Sequence, residues 1–247
     1  MSGFHARALT LLETVPPASA AATDELTRLE GDRGIVLPPS VREWYVLEGA
    51  SELLRKGLDG QGIHLDQLGR PHEGFEEPVD LVPEGRMLLM VENQGVCAWA
   101  VRLDGSSDPP VDIEYDTMPE PEWHPFTPTF SQFVQYCIWH TVRFTLPFSA
   151  EGSGGSRETL VGVCDQLEQG APTRPGTPIV TVVGDGIEHY GAVGRNLLGL
   201  VGGWWQCASD SPEAFVAMVR ALRQAAGPTE QFRAGNPASK ALLDPIV

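Results

Sequence analysis

The chain has 247 residues, with 17 Lys and Arg against 33 Asp and Glu, a formal charge of −16. That balance excludes sequence-independent nucleic-acid binding, which needs a surplus of cations to release counterions, and docking on an anionic membrane. With 42% hydrophobic and 20% charged residues it reads as an ordinary globular chain, and it contains no run of about 18 apolar residues that would span a bilayer.

The N-terminus MSGFHARALTLLETVPPASA has only a short apolar stretch, so a cytoplasmic location is expected. Cys97, Cys137, Cys164 and Cys207 form no CxxC pair. They fit buried thiols in a reducing compartment better than a disulfide framework.

In chain order, TDELTRLE (23–30) predicts a short amphipathic helix with Leu26 and Leu29 on one face, ended by Gly31 and Gly34. LPPSVREWY (37–45) predicts a second, with Pro38 and Pro39 in its first turn and Ser40 as a capping aid. Gly49 interrupts it, and Ser51–Lys56 reads as a further turn. QGIHLDQLG is a short strand or turn, and 70–86 a Pro/Gly/Glu loop.

MLLMVENQGVCAWAVRLDG (87–105) carries the clearest β signal, a short apolar strand, an ENQG turn and a second strand. VDIEYD (111–116) alternates, which places Val111, Ile113 and Tyr115 on one face and Asp112, Glu114 and Asp116 on a wet one. MPEPEWHPFTP reads as a loop and SQFVQYCIWHTVRF (131–144) as a helix.

The Gly/Ser-rich stretch 149–158 reads as a linker between a first domain (1–148) and a C-terminal α+β unit or sheet extension (159–247). That second part predicts a helix over LVGVCDQLEQG, two strands around Gly184-Asp185-Gly186, a strand over 199–208, and a helix from Pro212 capped by Ser211. The tail QFRAGNPASKALLDPIV is expected to be loosely ordered. One echo links the halves: Trp123 precedes Phe133-Val134 by the interval that separates Trp205 from Phe215-Val216.

The acids are not evenly spread. Residues 73–122 hold 13 acids against Arg86 and Arg102, a net charge of −11. A concentrated field of that sign steers a basic partner. Asp108, Asp112, Glu114, Asp116, Glu120 and Glu122 are therefore the expected contact residues, standing where phosphates stand in a nuclease cleft. Trp204 joins them, because in a Trp204-Trp205 strand one ring faces inward and its neighbour outward.

Little in the sequence points to catalysis. Cys137, His140 and His124 are too few for a zinc site, which takes four ligands. Gly184-Asp185-Gly186 with Gly191 and Gly194 lacks both the dinucleotide and P-loop spacings. No cofactor and no metal are expected. An enzyme built on this Gly-rich unit would need a polar pocket near residues 184–196.

The order of three motifs resembles a known family. LPPSVREWY resembles the Leu-Pro-x-x-hydrophobic-x-x-aromatic helix start of the Smi1/Knr4 (SUKH) superfamily. VENQGVCAWAVRL, then DPPV, then Trp123 with the helix of FTPTFSQFV, is similar to the actinobacterial-type members. The likeness spans about residues 20–145. Relatives often carry Asn-Gly-Gly after the first motif, where this chain has Glu48-Gly49-Ala50-Ser51. The resemblance implies an α+β fold with a mostly antiparallel sheet packed against helices. It implies a non-catalytic immunity protein that binds and neutralises a bacterial toxin, here a basic, nuclease-like domain. A regulatory scaffold for several protein partners is the alternative, since fungal relatives are interaction hubs.

Overall fold

A computed structural model describes residues 3–55, 60–72, 78–115, 122–154, 156, 158, 162–163, 177–182, 188–193, 195–201, 203–226 and 231–244. The fold is α+β, and among the described residues all strand pairings are antiparallel. The chain divides into two compact units, Met1–Thr141 and Val142–Val247.

The first unit opens with four helices: α1 (Ala6–Leu9), α2 (Ala20–Arg33), α3 (Pro39–Tyr45) and α4 (Ala50–Arg55). α2 is longer than its Leu26/Leu29 stripe predicts. Its N-cap is Ser19, whose hydroxyl accepts from the Ala22 amide at 3.3 Å, and its stop is Gly34 at φ 63°. Gly31 lies inside the helix, with open space where a Cβ would stand. In α3, Pro38 and Pro39 occupy the N-cap and first turn as expected. Ser40 is buried and makes no side-chain cap.

A five-stranded meander follows in the order β1 (Gly60–Gly62), β2 (Arg86–Glu92), β3 (Cys97–Arg102), β4 (Val111–Tyr115), β5 (Trp123–Thr127). A 3-10 turn, Val82–Glu84, leads into β2. β5 occupies residues read from the sequence as loop. Its pairing with β4 shifts between Val111 and Asp112, so Phe126 falls out of the strict alternation that reveals a strand.

Helix α5 (Phe130–Thr145) closes the unit. Trp99 meets Phe126 edge-on at 6.0 Å, and Phe126 meets Phe133 and Tyr136 of α5 at 6.1 and 5.3 Å. That fixes the faces of the sheet. Trp99, Val101, Val111 and Ile113 lie on the helix side. Arg86, Ala98, Ala100, Arg102, Asp112 and Glu114 lie on the other, by the period of two and the observed register. Trp44, Tyr45, Leu54, Phe130 and Phe133 are fully buried in this unit.

The second unit holds β6 (Phe148–Ser153), β7 (Thr177–Val182), β8 (Glu188–Val193), β9 (Asn196–Val201), β10 (Trp204–Ser209), α6 (Pro212–Ala226), β11 (Phe232–Ala234) and α7 (Pro237–Leu243). Its sheet order is β11-β6-β10-β9-β8-β7. The expected linker 149–158 is corrected here. Residues 148–153 are an inner strand, flanked by β10 and β11. Their small residues serve close packing: Gly152 faces Trp205, and a Cβ at Gly152 would stand 2.6 Å from Trp205 Cε2.

The strand expected over 199–208 is two strands, β9 and β10, joined where Gly203 adopts φ 82°. Over residues 231–244 the tail forms β11 and α7, with Asn236 accepting from the Ser239 amide at 2.8 Å as N-cap. The two strands around Gly184-Asp185-Gly186 pair as expected. The turn itself, and most of the helix expected over LVGVCDQLEQG, lie outside the described residues. α6 begins where expected, the Ser211 hydroxyl accepting from the Ala214 amide at 3.2 Å. It buries Phe215, Met218, Val219 and Leu222 against Leu198, Leu200, Trp205, Cys207 and Ala150.

The Trp–Phe echo has a counterpart in topology. In each unit four consecutive antiparallel strands lead directly into a helix whose fourth residue, Phe133 or Phe215, is fully buried. The tryptophans do not share a role: Trp205 is core, whereas Trp123 is half-buried.

Candidate partner-binding site

Among the described acids of residues 73–122, Asp80, Asp108 and Asp112 are spent on internal donors, whereas Glu84, Asp104 and Glu122 are exposed. Asp112 is 0% exposed. Its Oδ1 accepts from Arg102 Nη2 at 2.7 Å, and its Oδ2 from Arg102 Nε at 2.8 Å and Arg86 Nε at 3.3 Å. Alternation places it on the face opposite α5, but at this position that face is not the wet one expected from the sequence. The two arginines opposite it on β2 and β3 then close over it, because an unpaired buried carboxylate is far costlier than a paired one. Asp112 is therefore corrected from contact residue to internal anchor. Arg102 is held more firmly protonated by its hydrogen bond to Asp112.

Asp108 is engaged as well. Its carboxylate accepts from the Ser131 amide at 2.9 Å and the Ser131 hydroxyl at 2.6 Å. It caps the start of α5 together with Thr129, whose hydroxyl accepts from the Gln132 amide at 3.2 Å. Asp80 pairs with Arg33 through both oxygens. Glu92 accepts from the Gln94 amide at 2.7 Å and shapes the turn. Glu114 is half-buried, and Glu122 is exposed at the start of the β5 segment. Asp116 and Glu120 lie outside the described residues. Trp204 is half-buried beside a fully buried Trp205, the in–out alternation read from the sequence, but it belongs to the second unit.

A different set of acids converges on a groove of about 470 Å³ in the first unit. Its walls are the first turns of α2 (Ala21, Ala22, Glu25), the 47–52 turn leading into α4, and His64–Asp66 after β1. Tyr45 and Leu47 supply apolar lining. Four carboxylates, Glu25, Glu48, Glu52 and Asp66, line it, and among the described residues no lysine or arginine does. Glu48 and Asp66 are exposed. Arg28 pairs with Glu25 from the outer side of α2, and His64 Nε2 lies 3.8 Å from Glu52.

Local chemistry holds the groove open. Gly49 takes φ 69°, which lets the chain reverse between α3 and α4. The Glu48 amide donates to Pro17 O at 3.0 Å and the Ser19 amide to Val46 O at 2.7 Å, tying the turn to the approach to α2. The Ser51 hydroxyl donates to Ile63 O at 2.9 Å and fixes α4 to the third wall. None of these residues stood out in the sequence, because they come from three separate segments of unremarkable charge. The one local signal is Glu48-Gly49-Ala50-Ser51, the point where the chain departs from the Smi1/Knr4 pattern.

Among the described residues, no group of three or more His, Cys, Asp or Glu side chains is placed to hold a metal ion, and no helix is long and apolar enough to cross a membrane. Cys137 and Cys207 are buried free thiols and Cys97 is half-buried. Burial pushes Cys97 up to about 11 and Cys207 up to about 12, and holds Cys137 well above its ordinary value, which keeps all three protonated and weakly nucleophilic.

No protein-family model, curated protein or solved structure matches this chain.

Proposed function

We propose that this chain is a non-catalytic protein-binding module of the immunity type, which captures a basic toxin domain and blocks it. The observation that carries the reading is the groove of the first unit, with four carboxylates and no lysine or arginine among its described lining residues. A net charge of −16 raises the encounter rate with any cationic partner. A lysine or arginine entering the groove exchanges water for charge-assisted hydrogen bonds while its aliphatic stem lies on Tyr45 and Leu47.

The Smi1/Knr4 resemblance supports the same role. Its motifs fall on α3, the β2–β3 hairpin, β4 and the start of α5, so the similar segment and the first unit coincide over residues 20–141. Capture in this way needs no cofactor and takes place away from any membrane.

The test is binding of the full chain to a toxin domain of pI above about 9 encoded beside it. Calorimetry is run at 50 and 300 mM salt on wild type and on Glu48→Lys/Asp66→Lys. Both positions are exposed, so the fold tolerates the change. The double reversal is expected to weaken binding at least about tenfold and to flatten its salt dependence. Unchanged affinity at low salt would overturn the reading.

A further inference from the structure

The sheet face opposite α5 is not the acidic one its sequence announces: Arg86 and Arg102 balance Asp112 and Glu114 there. Arg86 and Arg102 face each other across β2 and β3, and both are clamped on the buried Asp112. The two guanidiniums offer ten N–H groups, and Asp112 engages only Arg86 Nε, Arg102 Nε and Arg102 Nη2. The Nη1–Nη2 edge of Arg86 and the Nη1 of Arg102 have no acceptor among the described residues. None of these nitrogens is a buried unpartnered atom. The arginine side chains stay 25% and 39% exposed while their anchor has no exposure at all. Arg86 is further fixed by stacking over the Trp123 ring, 5.6 Å from its centroid.

We infer that Arg86 and Arg102, oriented by Asp112 and Trp123, form a binding fork for a single carboxylate group on the open face of the first sheet. The parts fit that ligand class. The unengaged Arg86 edge matches a planar carboxylate with two parallel hydrogen bonds, and Arg102 Nη1 supplies a third donor. Arg86, Arg102 and Asp112 sum to +1 and Glu114 brings the face to neutrality, so a singly charged planar group is tolerated better than a dianion. A phosphate dianion would leave an excess negative charge beside Glu114, on the same face of a chain of net charge −16. Pre-orientation lowers the entropy cost that a free surface arginine meets on binding. The fork shares no residue with the acidic groove and does not depend on its role.

The test is arginine Nε–Hε NMR on the uniformly 15N-labelled full chain. Acetate and inorganic phosphate are titrated separately against chloride at constant ionic strength. The expected result is a saturable shift of the Arg86 and Arg102 signals with acetate, half-complete on the order of 10 mM, with Arg7 and Arg220 unmoved. Phosphate is expected to need a higher concentration. Arg102→Lys keeps the charge and loses the fork, and is expected to raise the acetate half-point at least about threefold. Should that variant fail to fold, Arg86→Lys serves in its place, since it leaves the two shorter Asp112 hydrogen bonds intact. Three short peptides locate the source of the carboxylate: one with a free C-terminus, its amide, and an amidated one with an internal Asp. Response to the first alone means a terminal carboxylate, and response to the third means a side chain. A non-saturable or arginine-wide shift, an unchanged half-point in the lysine variant, or phosphate binding more tightly than acetate would each overturn the proposal.

Discussion

Removing Arg102 should damage this protein more than removing Arg86, although both arginines pair with the same carboxylate. Asp112 accepts two short hydrogen bonds from Arg102, at 2.7 and 2.8 Å, and one long one from Arg86, at 3.3 Å. Asp112 is 0% exposed, so it cannot turn to water when its main partner goes. Breaking a buried pair by removing one partner costs about 3–5 kcal/mol, mostly the penalty of the orphaned charge. Arg102 is itself 39% exposed, so solvent entering the gap screens part of the loss and the lower end, about 3 kcal/mol, is expected for Arg102→Ala. Arg86→Ala removes one weak hydrogen bond and leaves the bidentate pair, so about 1 kcal/mol is expected. The assay is chemical denaturation followed by tryptophan fluorescence, paired with a melting curve. At about 3 °C per kcal/mol, Arg102→Ala should melt about 9 °C lower and Arg86→Ala about 3 °C lower. Equal losses, or a loss below about 1 kcal/mol for Arg102→Ala, would refute the claim that Asp112 is a buried charge held chiefly by Arg102.

Three further outcomes are expected. His5 is buried against Trp44 and Phe130, with Nε2 2.7 Å from Ser40 O and Nδ1 unpartnered. Desolvation lowers its pKa despite opposing contributions from Ser40, Glu43 and Asp108. The folded state keeps His5 neutral while the unfolded chain takes a proton near pH 6.5, so stability is full above that pH and falls below it; His5→Phe should flatten the urea midpoint between pH 7.5 and 5.5, and an unaltered profile would exclude His5 as the source. Gly152→Ala forces the fully buried Trp205 ring to move and should cost about 1–3 kcal/mol; a melting temperature equal to wild type would show that the ring has room. In a Cys164→Ser background, a thiol reagent at pH 7.5 should react slowly with Cys97 first and reach Cys137 and Cys207 only on unfolding. Rapid labelling of all three would contradict their burial.

The sequence by itself determined the elements whose apolar period is strong and local. The stripes of α3, α5 and α6, the paired strands β2 and β3, and the alternation of Trp204 and Trp205 are all legible. The side chain that faces inward is set by a repeat of two or 3.6 residues within one segment. Sequence also supplied the α+β class and the overall charge.

Elements defined by their neighbours were not legible. β6 looked like a linker because its Gly and Ser residues are small, and their reason, the Trp205 ring lying over Gly152, sits 53 residues away. β5 hid behind an out-of-register Phe126. The clearest divergence is electrostatic. A count of charges along the chain gave residues 73–122 a net −11, yet Asp80, Asp108 and Asp112 are each spent on an internal donor. Glu84, Asp104 and Glu122 stay exposed, and the groove draws its four carboxylates from α2, the 47–52 turn and residue 66. Charge sums are properties of a sequence. Whether a carboxylate faces water or an arginine depends on strand register, and only the tertiary structure fixes that.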